Sequence, residues 1–127
     1  MKISSSWEGG YRCRVRMRDF ELVADEPADQ GGTDAGPMPT ELLLAALASC
    51  FSMALAHVAR KRGIDLPDLE VHATASYARL RFANIQLEIH STHPPDEVEA
   101  LIPAAIRSCY VSNTLDTSPA VEYVVDR

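Results

Sequence analysis

Between Glu41 and Arg60 lie eighteen residues without a formal charge, LLLAALASCFSMALAHVA. Coiled as an α-helix they would be about 27 Å long, close to the roughly 20 apolar residues that cross a bilayer. Such a run must be covered by lipid or by protein, and its details favour protein. Pro39 suits a first helical turn, Glu41 the positive end of the helix dipole, Arg60, Lys61 and Arg62 the negative end, and Gly63 the residue just beyond. Ser49, Ser52 and His57 place polar groups inside the run. The expectation is a helix over 39–62, buried on nearly all sides. A chain of 127 residues has little else to cover it with, so a homodimer supplying the remaining cover is expected as well.

The remainder reads as strands, loops and a second helix. Residues 11–18 alternate, with Tyr11, Cys13, Val15 and Met17 on one side and Arg12, Arg14, Arg16 and Arg18 on the other, which is the period of a half-buried strand. With partner strands over 2–7 and 21–25 and a turn at Glu8-Gly9-Gly10, the first quarter is predicted to be a β-meander. Same-face neighbours on a strand stand roughly 6.7 Å apart, so the arginine row repels itself unless carboxylates such as Glu21 and Asp25 lie opposite. PADQGGTDAGPMP, over 27–39, cannot continue a ladder and is predicted to be a loop. Residues 69–80 and 81–90 are predicted to form a hairpin. Over 96–109 Val98, Leu101, Ile102, Ala105 and Ile106 fall at helical spacing, with Pro103 placed to bend or split that helix. A last strand is predicted over 120–125. The fold class is α+β, in a single domain over 1–127.

Composition excludes several functions. Lys and Arg number 12 against 18 Asp and Glu, a net charge of −6, which speaks against binding nucleic acid or an anionic membrane. With 46% apolar and 24% charged residues the chain is expected to be soluble and globular. Its three cysteines are widely spaced, and no basic-then-apolar leader precedes Trp7, so a cytoplasmic location with reduced thiols is expected. No C-x-x-C occurs, and no histidine stands at ligand spacing from a cysteine, so neither a metal nor a cofactor is expected.

The cysteines are the candidate nucleophiles. Cys13, between Tyr11 and Val15 on the apolar side of its strand, reads as a small hydrophobe. Cys50 lies mid-helix, where burial alone would leave it unreactive and a cation would be needed to activate it. Cys109 follows a helix and precedes a new helical turn, whose free amides favour a thiolate. His57, seven residues after Cys50, is about 20° away in direction but some 10 Å along the axis, so it reads as a buried, hydrogen-bonded histidine rather than a base. Ser49 and Ser52 read as bonding back to preceding carbonyls.

Two stretches carry a resemblance. Pro39-Thr40-Glu41-Leu42, leading through Ala45 to Cys50-Phe51-Ser52-Met53-Ala54-Leu55, and Cys109-Tyr110-Val111-Ser112-Asn113-Thr114-Leu115 are similar to the two cysteine motifs of the OsmC/Ohr family of thiol peroxidases. The resemblance implies an OsmC-like intertwined homodimer with a N-terminal β-meander, a long buried central helix, a β-hairpin, a second helix and a C-terminal strand. It implies reduction of organic hydroperoxides, with Cys50 peroxidatic, Cys109 resolving through a disulfide, and an external thiol reductant completing the cycle. The chain departs from the family pattern in three ways. Peroxidatic members carry a glutamate ten residues before the first cysteine, where it holds an arginine against the thiolate; here that position is Thr40, and Glu41 stands nine before. Nine helical steps put it about 180° from the cysteine's direction, where ten would leave about 80°. Glu41 is therefore either a supporting residue or a partner of the helix dipole or of the dimer interface. Any of Arg12, Arg14, Arg16 and Arg18 is a candidate for the arginine, and Tyr110 replaces a common proline. The alternative function is an OsmC-like dimer without peroxidase activity that binds an apolar small molecule or senses redox state.

Overall fold

In the computed structural model residues 1–126 are described, and the chain forms two compact units, Met1–Leu43 and Leu44–Arg127. The first unit is the predicted meander. Strands β1 (Ile3–Trp7), β2 (Cys13–Met17) and β3 (Phe20–Ala24) pair antiparallel in that order. The register lines up Trp7, Cys13 and Ala24, then Ser5, Val15 and Leu22, then Ile3, Met17 and Phe20 on one face. Arg14 and Arg16 share the other face with Glu21, whose carboxylate accepts from Arg14 Nη1 at 2.6 Å and Arg16 Nε at 3.2 Å, while Glu8 accepts from Arg14 Nε at 2.9 Å. The expected neutralisation of the arginine row thus falls to Glu21 and Glu8.

Asp25 does something else. Only 1% exposed, it accepts from the backbone N–H groups of Glu26 (2.8 Å), Thr33 (3.2 Å) and Ala35 (3.1 Å) and from the Thr33 hydroxyl (2.6 Å). One carboxylate thereby organises the predicted loop, which contains a single 3-10 turn over Ala28–Gln30. Chain crossings inside the loop are tight enough to demand glycine. A Cβ on Gly36 would fall onto the Val23 carbonyl, and one on Gly32 onto that of Glu26.

Helix α1 (Pro39–Lys61) runs as expected and is one residue shorter than predicted. In the second unit Phe51, Ala54, Leu55, Val58 and Ala59 of α1 are buried against Leu101 and Ala105 and against the inner face of the hairpin, where Val71, Leu87 and Ile89 lie. The helix is long and apolar enough to cross a membrane, with a mean hydropathy of 2.0, and this packing makes it the core helix of its unit. Burial on nearly all sides is not reached within one chain. Ser49, Ala56 and His57 are exposed and Met53 is 71% exposed, because a two-stranded sheet and short helices cover only one stripe.

The hairpin joins β4 (Glu70–Ala78) to β5 (Arg81–His90), with Val71, Ala73 and Ala75 opposite Ile89, Leu87 and Ile85. A bulge between Ser76 and Tyr77 shifts the register, so that Ser76 faces Asn84 and Tyr77 faces Phe82. Pro103 splits the second helix into α2 (Pro95–Glu99) and α3 (Ile102–Ser108), and α4 (Tyr110–Thr117) follows Cys109 directly. The predicted C-terminal strand over 120–125 does not form. Residues 118–126 have no regular structure, and Val121, Tyr123, Val124 and Val125 are 70–92% exposed, since no strand of this chain lies beside them to complete a ladder.

Candidate active site: the Cys50 and Cys109 thiols

Cys50 sits on α1 one residue before Phe51, half-buried against the core cluster, and Cys109 belongs to that cluster with no exposed surface. Fifty-nine residues apart in sequence, the two are brought together because α3 packs on α1 and ends at Cys109. Both belong to one packed group, Cys50 lying against the cluster that contains Cys109. All three cysteines, Cys13 included, are free thiols.

Cys109 links α3 to α4. Its φ of −90° and ψ of 104° break the chain out of α3 and make it the N-cap of α4, whose first turn closes through Asn113 N–H on the Cys109 carbonyl at 3.0 Å. The Cys109 side chain makes no capping hydrogen bond to this turn. Burial pushes this thiol above its ordinary pKa; the nearby Ser112 and Val111 amides act in the opposite direction, and the neighbouring Cys50 adds to the rise. Cys109 therefore keeps its proton more firmly than an ordinary thiol.

The other candidates fall elsewhere. The Glu41 carboxylate accepts from the Met38 N–H at 2.9 Å, a bond reaching back to the helix start. Arg12 donates to the Thr33 hydroxyl at 3.1 Å, Arg14 and Arg16 hold Glu8 and Glu21, and the Arg18 guanidinium lies 4.9 Å from the centre of the Phe20 ring. Ser49 donates to Ala45 O at 2.7 Å and Ser52 to Ala48 O at 2.8 Å, as expected. His57 is not the buried, bonded residue that was expected. It is exposed and, among the described residues, has no hydrogen-bond partner, because it lies on the uncovered side of α1. Among the described residues no group of three His, Cys, Asp or Glu side chains is placed to hold a metal ion.

Fold and site together define a class: an α+β protein that packs a dithiol between its core helix and the start of another. Residues 31–124 match the family described as OsmC-like protein, and the chain belongs to that family. Similar solved structures agree. An organic hydroperoxide resistance protein OsmC from Legionella pneumophila is 27% identical with a TM-score of 0.68, the match covering 91% of this chain and 89% of that one. An OsmC like protein from Mycoplasma pneumoniae is 22% identical with a TM-score of 0.76, covering 91% and 86%. An organic hydroperoxide resistance protein from Elizabethkingia anophelis is 24% identical with a TM-score of 0.68, covering 90% and 87%. No curated protein matches the chain.

Proposed function

We propose that this protein acts in oxidative-stress defence as a cysteine-based reductase of organic hydroperoxides, working as a homodimer in the cytoplasm. The packing of Cys50 against the core cluster that contains Cys109 carries this reading. The Cys50 thiolate attacks the peroxide O–O bond and takes one oxygen as sulfenic acid, and the other oxygen leaves as an alkoxide that picks up a proton to become the alcohol. The Cys109 sulfur then attacks the Cys50 sulfur, forming a disulfide and releasing water. Two electrons from an external dithiol restore both thiols. Peroxide and two thiols thus yield alcohol, water and one disulfide.

Several features support the assignment of roles. Cys109, fully buried and held protonated, suits a thiol that acts second, whereas Cys50 is half-buried and open to a substrate. Apolar neighbours such as Phe51 and Ala54 favour an organic peroxide over hydrogen peroxide. The uncovered side of α1 and the unpaired C-terminal segment support a second copy completing the fold. Glu41, bonded at the helix start, is assigned no part in activating the thiolate.

The test is steady-state consumption of cumene hydroperoxide with a dithiol reductant. Cys50→Ser is expected to lose activity by at least 100-fold, and Cys109→Ser to complete one turnover and stop at a trappable sulfenic acid. Peroxide consumption by the natural protein no faster than by the dithiol alone would favour the passive dimer that binds an apolar molecule.

A further inference from the structure

We infer that a cavity where the C-terminal ends of α1 and α3 meet binds a phosphate group. The site is separate from the dithiol, and nothing in it depends on the peroxidase reading.

The cavity has a volume of about 310 Å³ and is lined by Lys61, Arg62 and His57 from α1 and its end and by Arg107 from α3, over a floor that includes Val58 and Ala104. Among the described residues none of those lining it is a carboxylate. Lys61 and Arg107 have no ion-pair partner among the described residues, whereas Arg14 and Arg16 are held by Glu8 and Glu21. Arg62 donates Nη1 to the Ala100 carbonyl at 3.1 Å, which leaves its remaining N–H groups available. Ser108 also borders the cavity, but its hydroxyl is spent on the Ala104 carbonyl at 2.9 Å.

Cations at helix ends are ordinary, because they offset the dipole. The count here goes beyond that need. Two helix C-termini supply at most about −0.5 each, against three permanent positive charges, so roughly two positive charges are left over. The net −6 of the whole chain bears on this surplus only through acids within about 10 Å, since salt screens exposed charges beyond that at 0.1 M. Guanidinium and ammonium donors around one cavity whose lining has no carboxylate suit a compact oxyanion of high charge, and phosphate fits better than a single carboxylate. The phosphate is either free or the head of a small phosphomonoester.

Calorimetric titration of the full chain with inorganic phosphate at pH 7, with chloride-matched ionic strength, tests the site. Saturable binding in the millimolar range or tighter is expected. Lys61→Gln and Arg107→Gln are each expected to raise the dissociation constant at least fivefold, with Arg107→Lys restoring it to within about threefold. Arg60→Gln removes the same charge one residue from Lys61 but lies outside this cavity, and is expected to change binding less than twofold. Tighter binding of glycerol 3-phosphate would identify an ester as the ligand, and equal binding the free ion. No saturation by 20 mM phosphate, equal weakening by Arg60→Gln, or competition by acetate as strong as by phosphate would overturn the inference.

Discussion

Asp25 shows how one buried carboxylate can replace secondary structure. Four donors hold its charged form, the Thr33 hydroxyl foremost, and they lower its pKa to about 2. A carboxyl whose pKa falls on folding adds stability above its unfolded value, and that stability is lost as pH drops from about 4 to about 2. Urea midpoints measured across this window should therefore fall more steeply for the natural protein than for Asp25→Asn, whose midpoint should already be lower at pH 7. Cys109 has the opposite sign. Its raised pKa keeps the thiol protonated, so its contribution is intact below about pH 9 and lost as pH rises further. Alkylation with iodoacetamide at pH 8.5 should accordingly modify Cys109 more slowly than a free cysteine. The residue types at both sites were legible in the sequence, but their partners were not. Asp25 bonds residues eight and ten positions on, inside a loop that has no periodicity to read.

Periodicity was readable where one face of an element meets a core. The alternation over 11–18 and the Pro103 interruption both produced the expected structure, because pleat and ring geometry act locally. For α1 the same reasoning could not say which side is covered, since an uncharged run looks alike all round. The structure separates them: Leu55 is 0% exposed and Met53 is 71% exposed. Leu55→Ala should cost roughly 2–5 kcal/mol in denaturant unfolding, the usual range for a core leucine. Met53→Ala should cost little at low protein concentration. The final strand failed for a related reason: a strand needs a neighbour, and the apolar pattern of residues 120–125 does not say which chain provides it.

At the scale of the whole molecule, the uncovered side of α1 and the exposed Val121, Tyr123, Val124 and Val125 leave apolar surface that a dimer would bury. Unfolding of such a dimer depends on mass action, so its thermal midpoint should rise with protein concentration and Met53→Asp should abolish the rise. A midpoint independent of concentration would mean that the single chain is the stable form. The chemistry rests on the two sulfurs that this fold unites. The most direct measurement is mass mapping of the reduced protein after one equivalent of cumene hydroperoxide: a disulfide joining Cys50 to Cys109, with Cys13 still free, is the expected product. Slow oxidation spread over all three cysteines, and unaltered by Cys50→Ser, would contradict it.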